Sequence, residues 1–350
     1  ESVLNYDRTF NDKHKLGGLL VYTQRSGLDA AGKSLLLSLP HRNIGLSGRF
    51  SYSYDERYFT EFDFGYNGSE RFYKDKRFGF FPSVGAAWTV SNEKFWEPLK
   101  NTIINFKIRA TYGLVGNDEI GSASDRFYYL SNVNMSDPGL AFQFGRNFAN
   151  RKNGVSISRY SNKDITWETS KKGNLGLELG LLNGLNITAD FYTQRTTNIL
   201  MDRAAIPTFI GLSAPVRANV GEASSKGMDI SVNYNHAFSN GAWLQVMGNF
   251  TYATSKYRVY EEPDYTDEPW LSNVGFSISQ PRGFIAERLF VDDKDVANSP
   301  LQQFGSQVIG GDIKYKDINN DGQITDLDKV PIGFPNTPEI VYGFGFSFGY

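Results

Sequence analysis

Hydrophobic and polar residues alternate along much of this chain with a period of two. In residues 44 to 54, Ile44, Phe50 and Tyr54 fall on one side of an extended segment, whereas Ser47 and Arg49 fall on the other. Successive side chains of a β-strand point to opposite faces, so this period is the one that a strand produces. The pattern therefore predicts strands with one apolar face and one polar face.

The same alternation returns in later segments and brings charged residues onto the polar face. Glu61 and Asp63 alternate with Phe62 and Phe64, and similar divisions recur in residues 104–114, 185–192 and 228–235. Acidic side chains opposite an apolar band indicate a water-filled interior behind a lipid-facing surface, as in a membrane barrel. We therefore predict an all-β fold, a transmembrane antiparallel β-barrel of which this chain forms a part.

About eleven strands are predicted, and most have the 9 to 11 residues that a tilted spanning strand requires. The predicted strands are 1–10, 14–24, 43–54, 58–66, 79–90, 103–115, 167–181, 185–195, 227–238, 242–256 and 339–350. The alternating run continues to the last residues, and strand-like sequence begins within a few residues of Glu1. We expect the chain to be a fragment of a longer barrel protein.

Short and long connections alternate between the predicted strands. The short links are Asn11-Asp12-Lys13, Asp55-Glu56-Arg57, Leu182-Asn183-Gly184 and Ser239-Asn240-Gly241, the last two with Asn-Gly signals for a tight hairpin. The long links are 25–42, 67–78, 116–166, 196–226 and 257–338. Longer loops of bacterial barrels are extracellular, so we predict that the short links are periplasmic and that 116–166, 196–226 and 257–338 are long extracellular loops.

One link on the short-turn side is longer than the others. In residues 91–102, Glu93, Lys94, Phe95 and Trp96 precede Pro98, an order that favours a helical turn at the membrane rim. Trp96 is suited to the aromatic girdle that marks a membrane interface.

Composition agrees with a barrel and excludes other classes. The chain has 27 Phe, 20 Tyr and 35 Gly, yet its mean hydropathy is −0.40, and no run approaches the roughly 18 apolar residues of a spanning helix. A net charge of −2, with no long basic run, argues against nucleic-acid binding. The absence of cysteine is compatible with an oxidising envelope and carries little weight.

One segment has the spacing of a calcium-binding loop. From Asp317 to Asp328, oxygen-bearing residues occupy positions 1, 3, 5, 9 and 12 and Gly322 occupies position 6, as in an EF-hand. The candidate ligands of a structural calcium ion are Asp317, Asn319, Asp321, Gln323, Thr325 and Asp328. Position 12 is Asp rather than the longer bidentate Glu, and the alternative is a turn whose side chains bind its own amides.

No motif for catalysis is present, so we expect no enzymatic activity. The three histidines, His14, His41 and His236, lack ligand spacing, and no nucleophile elbow or phosphate loop occurs. Candidate ligand-binding residues are lumen and loop aromatics, on which sugars and peptides stack: Phe127, Tyr128, Tyr129, Tyr160 and Trp270. The alternative is that these rings pack the loops together.

Five stretches, in order, resemble the SusC/RagA-like TonB-dependent transporters of the Bacteroidetes outer membrane. They are residues 59–96, 109–121 (RATYGLVGNDEIG), 165–192, 219–234 (NVGEASSKGMDISVNY) and 311–333 (GDIKYKDINNDGQITDLDKVPIG). The resemblance implies a barrel of 22 strands, an N-terminal plug, energy from the TonB complex, and a SusD-like surface lipoprotein as partner. It implies import of an oligosaccharide or peptide across the outer membrane, with the plug, the TonB-contacting box and about half of the barrel outside this chain.

Two other functions compete with an active importer. A passive porin has the same kind of wall but lacks a plug. A soluble β-rich carbohydrate-binding or adhesin module buries its alternating faces in a sandwich core, which requires the face of Phe64 and Ile108 to lie under a second sheet.

Overall fold

The computed structural model describes residues 1–28, 38–121, 126–181 and 184–350, and these residues form a predominantly β structure. The strands, in chain order, are β1 Ser2–Phe10, β2 His14–Gly27, β3 His41–Tyr54, β4 Tyr58–Ser69, β5 Phe78–Thr89, β6 Ile103–Asn117, β7 Asn132–Phe144, β8 Asn150–Arg159, β9 Glu168–Leu181, β10 Leu185–Asp202, β11 Arg217–Ala237, β12 Trp243–Val259, β13 Arg282–Gly283, β14 Ala286–Leu289, β15 Leu301–Gln302, β16 Ile313–Tyr315, β17 Gln323–Ile324, β18 Val330–Pro331 and β19 Ile340–Gly349. Helical segments are the α-helix α1 Asp293–Ala297 and the 3₁₀ helices Lys74–Lys76, Val90–Asn92, Lys94–Leu99, Thr208–Ile210, Pro269–Leu271 and Asp326–Asp328.

Eleven strands form one antiparallel sheet, which confirms the predicted number. Their order is β1-β2-β3-β4-β5-β6-β9-β10-β11-β12-β19, so each strand pairs with the next one in this wall. β1 and β19 are the two edges, and the sheet does not close on itself within this chain. The remaining strands pair in twos outside the wall.

Register keeps like residues on the same face across neighbouring strands. Phe50 of β3 lies opposite Phe62 of β4, and one position away Arg49 lies opposite Asp63. The aromatic face is open, with Phe50 exposed to 49% and Phe62 to 42%. In the described residues no second sheet pairs with or covers this face, so the sandwich alternative does not describe the fold.

The polar face is the concave one. Asp7 of β1 and Arg109 of β6, five strands apart in the wall, line the same cavity of about 560 Å³, together with Ser51 and Glu61 between them. Strands so far apart approach one shared space only if the sheet curves toward this face. The charged residues therefore face the inside of the curved wall, as the alternation predicts.

The short turns have backbone geometry that few residues tolerate. Asp55 and Glu56 have φ near +52°, and Arg57 N–H donates to the Tyr54 carbonyl at 2.9 Å. In the link after β11, Gly241 adopts φ +87°. Of the predicted link Leu182-Asn183-Gly184, residues 182 and 183 lie outside the described residues, and so does 29–37 of the predicted link 25–42.

The strands on the long-loop side extend farther than predicted. β10 runs to Asp202 and β11 begins at Arg217, so the link predicted at 196–226 is only 203–216. The two strands were predicted too short because the alternation of apolar and polar residues fades near their ends. The backbone hydrogen bonds between strands continue there, because they do not require an apolar face. The predicted loop 116–166 also contains its own hairpin, β7–β8.

The largest described cluster of buried apolar residues lies in the loops, not in the wall. It comprises Phe72, Ile120, Tyr128, Ile165 and Trp167, packed against Phe81 of β5 and Leu200 of β10. A single curved sheet has no opposite layer to pack against, so loop residues build this core at the long-loop end.

Candidate functional site

Inward-facing charges form pairs across neighbouring strands. Arg49 of β3 binds Asp63 of β4, Nε to Oδ1 at 2.8 Å, and lies 3.6 Å from Glu61. Ser83 of β5 donates its hydroxyl to the same Asp63 at 3.4 Å. These contacts link three strands on the concave face and leave it polar.

A second charged group centres on Arg109 of β6. Its Nε donates to Glu178 of β9 at 3.1 Å, and Nη2 donates to Asp190 of β10 at 2.7 Å. To reach β10 the guanidinium lies flat over Gly176, where an added Cβ would come within 2.7 Å of Cζ. A side chain at position 176 would therefore displace Arg109 and disturb this three-strand bridge.

Asp190 and Asp229 lie directly opposite each other on β10 and β11. Two like charges at this spacing repel each other unless each has a separate partner. Asp190 binds Arg109, and Asp229 accepts a hydrogen bond from Thr251 of β12 at 2.7 Å. Asp190 and Asp229 are thus each stabilised by a different residue, Arg109 of β6 and Thr251 of β12.

The rim segment after β5 is fixed by a buried carboxylate. Glu93, 9% exposed, accepts from Tyr58 Oη at 2.5 Å, from Trp88 Nε1 at 3.1 Å and from Arg57 Nη1 at 3.2 Å. The hydrogen bond from Tyr58, supported by Trp88 and Arg57, lowers the pKa of Glu93. The sequence reasoning placed Glu93 only in a helical turn and missed this network, for which Trp88 and Arg57 at neighbouring strand ends were the available signal.

The predicted helical turn is present as the 3₁₀ helix Lys94–Leu99, which continues through Pro98. Trp96 stacks on Phe106 with ring centroids 5.5 Å apart, and its Nε1 donates to the Ile103 carbonyl at 3.2 Å. Phe95 is 63% exposed beside it. An anchored Trp and an exposed Phe at a strand end are typical of an aromatic girdle.

Two of the five candidate ligand-binding aromatics are buried. Tyr128 is 1% exposed within the loop cluster and hydrogen-bonds the Ile120 carbonyl, and Phe127 is 7% exposed with φ +52°. The adjacent Arg126, also buried, donates to the carbonyls of Leu39 and Pro40 at 2.9 and 2.8 Å. In this conformation these rings pack loops together.

The other three candidates are half-buried and do not converge on one site with each other. Tyr129 packs edge-on against Tyr73 with centroids 5.7 Å apart. Tyr160 accepts a hydrogen bond from the Ser213 amide at 3.1 Å, and it lines a cavity of only about 60 Å³. Trp270 donates from Nε1 to the Leu327 carbonyl at 2.8 Å, which ties it to the candidate calcium loop.

The segment Asp317 to Asp328 folds around its own amides. Asp317 accepts from the Gly322 amide at 2.8 Å, and Asp321 accepts from the Gln323 amide at 2.8 Å. Asp328 is fully buried and accepts from the amides of Ile318 and Thr325, each at 2.8 Å. In the ranges that the structure describes, no group of three or more acidic, histidine or cysteine side chains is placed to hold a metal ion.

Gly322 adopts φ +80°, the conformation that position 6 of such a loop requires. Asn319 Oδ1 also accepts from the Asp321 amide, at 3.2 Å, so the first three candidate ligands all turn toward one backbone bend. Gln323 is exposed, and Thr325 instead caps the following 3₁₀ helix through the Leu327 amide at 3.2 Å. Calcium binding therefore stays a prediction.

No helix within the described residues is both long enough and apolar enough to span a membrane.

Comparison with known proteins identifies a matching family and several similar proteins. A family model described as "TonB dependent receptor-like, beta-barrel" matches residues 7–349. "TonB-dependent receptor P3" of Formosa agariphila is 28% identical over 322 residues, which cover 88% of this chain and 30% of that protein. "TonB-dependent receptor SusC" of Bacteroides thetaiotaomicron is 32% identical over 192 residues, 54% of this chain and 18% of that protein.

Solved structures share the fold. A structure titled "Structure of the RagAB peptide transporter" superimposes with a TM-score of 0.70 and 21% identity, covering 99% of this chain and 38% of that one. The outer membrane transporter YddB from Escherichia coli gives a TM-score of 0.50 and 13% identity over 79% of this chain and 37% of that one. The chain spans 30% to 38% of the length of three Formosa receptors that it matches.

Proposed function

The chain belongs to the TonB dependent receptor-like β-barrel family, whose members reside in the outer membrane, and on that premise we propose that it forms part of the wall of an active importer. The imported substrate is an oligosaccharide or a peptide, and a SusD-like surface lipoprotein acts with the barrel. The observation that carries the proposal is the curved eleven-stranded wall with a polar, charge-paired concave face and an aromatic convex face.

The concave face suits passage of a polar solute. Small residues such as Gly17, Ser51 and Gly85 line the same cavity as the charged Glu61 and Arg109. Small side chains leave space, and fixed charges with hydrogen-bonding groups replace part of the water lost by a sugar or a peptide. Transport of this kind involves no covalent chemistry, which agrees with the expectation that the chain is not an enzyme.

The proposed lipoprotein partner has candidate contact surfaces in the loops 116–166 and 257–338. The hairpin β7–β8 projects from the wall with Met135 exposed to 73% and Phe142 to 72%, and Phe334 of the second loop is 89% exposed. Exposed apolar side chains in such groups mark surfaces that bind other molecules. The resemblance to SusC/RagA-like transporters supports a partner as well, and one structure of the same fold is titled "Structure of the RagAB peptide transporter".

Uptake by cells that carry the full-length protein tests the proposal. Cells with and without the gene would be given labelled oligosaccharides or peptides, and uptake would be measured before and after dissipation of the proton-motive force. We expect uptake to depend on the gene and to stop when the energy source is removed. Gene-dependent uptake that continues unchanged without the energy source would instead establish a passive porin.

The substrate class is tested separately from the mechanism. We expect one of the two substrate pools, oligosaccharides or peptides, to support gene-dependent growth as sole carbon source. Genes for glycoside hydrolases or peptidases beside this one would point to the same class. Deletion of a neighbouring gene for a SusD-like lipoprotein is expected to reduce uptake, and unchanged uptake would contradict the partnership.

We also propose that the loop from Asp317 to Asp328 binds a structural calcium ion. The support is the ligand spacing and the left-handed Gly322 at position 6. Titration calorimetry of the full-length protein with calcium would measure the affinity, with magnesium as the comparison ion. We expect Asp317→Asn and Asp321→Asn to weaken calcium binding at least tenfold, and binding that is unchanged in both variants would disprove this site.

A further inference from the structure

Five basic side chains lie together on the convex face of the wall, at the long-loop end of four adjacent strands. This basic patch comprises Lys171 of β9, Arg195 of β10, Lys226 of β11, and Lys256 and Arg258 of β12. All five side chains are exposed. These five residues take no part in the ion pairs of the concave face or in the proposed transport.

Strand register places the patch on the convex face. Lys171 pairs opposite Arg195, Arg195 opposite Ser224, and Ser224 opposite Lys256, which makes one row across four strands. Residues directly opposite each other in a sheet share a face. Counting by twos along β10 leads from Arg195 to the exposed Phe191, so this row shares the face of the apolar band.

The row lies at the edge of that band. From Arg195 to Leu185 at the short-turn end of β10 there are ten residues, which rise about 24 Å along the membrane normal at a tilt near 45°. The apolar band of outer-membrane barrels is about 25 Å tall. Arg195 and the residues in its row therefore lie at the level of lipid headgroups, above outward residues such as Leu175 and Phe191, which are 46% and 44% exposed. Lys226 lies opposite Thr193, two residues lower, and its long side chain can reach up to the same level.

Most of the positive charge in the patch is available to a ligand. Arg195 is the member that makes an ion pair within the described residues, Nε to Glu222 Oε1 at 2.6 Å, and its side chain is still 64% exposed. Arg258 donates from Nε to the Ser224 hydroxyl at 2.7 Å, which holds its guanidinium beside the row. Both arginines are thus oriented, and the three lysines have long stems that reach along the surface.

The patch is confined to one part of the wall. At the same end of β2 to β5, the convex face carries mainly apolar or aromatic residues, Tyr22, Ile44, Tyr66 and Phe78; among the described residues of these strands, its one lysine or arginine is Arg42 of β3. A solubilising surface would spread its charges over all strands. The concentration of five basic residues on four neighbouring strands, against one on β2 to β5, indicates a ligand with concentrated negative charge.

We propose that Lys171, Arg195, Lys226, Lys256 and Arg258 bind the phosphate-bearing headgroup of a lipid in the outer leaflet. Guanidinium groups pair with phosphate through two parallel hydrogen bonds, and ammonium groups add point charges. Each basic group near an anionic lipid surface strengthens binding about fivefold. The lipid would fix the tilt and position of this side of the barrel, because its acyl chains pack on the apolar band below.

The test uses the full-length protein, purified in a neutral detergent and titrated with diphosphoryl lipid A, with bound lipid counted by native mass spectrometry. The variant is the triple substitution K171Q/K226Q/K256Q. Its matched control is K15Q/K107Q/K172Q, which removes the same charge from lysines on the concave face. We expect the first variant to lose affinity at least tenfold, and the control to bind like the unmodified protein.

Two comparisons with the unmodified protein need no variant. Binding should weaken strongly when sodium chloride rises from about 0.1 to about 1 M, since the Debye length falls from about 10 to about 3 Å. Dephosphorylated lipid A should bind at least tenfold more weakly than the diphosphoryl form. Equal binding of the two lipids, or undiminished binding of lipid A to the triple variant K171Q/K226Q/K256Q, would overturn the proposal.

Discussion

At the scale of single residues, buried carboxylates organise the parts of the chain outside the wall. Asp328 stabilises the long loop through two backbone amides, and Glu93 stabilises the rim through three side chains. Each accepts its hydrogen bonds in surroundings that exclude most water. Removal of such a group leaves several donors at a partly buried site without their acceptor, which costs more than the net contribution of an ordinary hydrogen bond wherever water cannot replace it.

Asp328→Ala should loosen the loop between β14 and β18. The amides of the half-buried Ile318 and Thr325 would lose their acceptor, at a cost of about 1–3 kcal/mol for each amide that water does not reach. Hydrogen–deuterium exchange of peptides from residues 313–331 would measure the effect. The matched control is Asp326→Ala, because Asp326 is 88% exposed and pairs with the nearby Lys329 on the surface. Equal protection in the two variants would contradict the structural role of Asp328.

Glu93→Gln should remove a pH dependence of stability. The pKa of Glu93 is lower in the folded protein because Tyr58, Trp88 and Arg57 donate to the carboxylate. The lowered pKa stabilises the folded state at pH values above the pKa of glutamate in the unfolded chain, which is about 4.3. This stabilisation is lost as the pH falls toward the pKa of Glu93 in the folded protein. Thermal unfolding in detergent between about pH 7 and pH 3 would measure it. We expect the midpoint of the unmodified protein to fall more than that of the variant, and parallel curves would refute the prediction.

At the scale of elements, the sequence specifies each strand and its two faces, and pairing within the sheet decides which residues of neighbouring strands share a face. Ile230 and Ser231 are neighbours on β11, but their side chains point to opposite sides of the wall. Ile230 lies opposite Phe250 in β12, and Ser231 lies opposite Asn249. A single-position change of register would exchange lipid-facing and interior residues along the whole strand.

Ile230→Arg and Ser231→Arg therefore form a matched pair. An arginine near the middle of the lipid-facing band costs about 2–4 kcal/mol, whereas interior substitutions do not place the charge in lipid. Folding of the full-length protein into lipid vesicles, followed by urea titration, would measure both variants. We expect a lower urea midpoint for Ile230→Arg. A larger loss for Ser231→Arg would mean that the two faces are assigned the wrong way round.

At the scale of the whole molecule, the two ends of the wall differ in character. One end carries short turns and the aromatic rim, and the other carries the loop core, the hairpin β7–β8 and the segment with the Asp317 loop. Long loops of bacterial barrels are extracellular. The orientation predicted from the alternation of short and long links rests on this general rule and stays a prediction.

Labelling of single cysteines would test that orientation. This chain contains no cysteine, so Asp326→Cys and Asn240→Cys each introduce one thiol at an exposed position, on the long-loop and short-turn ends respectively. We expect a membrane-impermeant maleimide to label Asp326→Cys on intact cells and Asn240→Cys only after the outer membrane is permeabilised. The reverse labelling pattern would show that the barrel has the opposite orientation in the membrane.

Much of the wall was predictable from local pattern. A strand that separates water from lipid must alternate its side chains, so residues such as Ile44 to Tyr54 specify an element and its two faces without any knowledge of neighbours. The helical turn after β5 and the position of Trp96 at the membrane rim were predicted from the order of residues in the same way. Strand ends beyond the apolar band, as at Asp202 and Arg217, were missed because polar ladders have no periodic signal.

Tertiary structure alone decided which distant residues meet. Arg109, Glu178 and Asp190 come from three strands, and nothing in their spacing shows that one guanidinium bridges both acids across Gly176. Likewise, Tyr128 looked available in a loop, yet the folded loops bury it. Sequence by itself determined the strands and their polarity, because alternation is a local consequence of backbone geometry. Contacts between strands, the buried loop core and the basic patch depend on register and curvature, which only the assembled sheet defines.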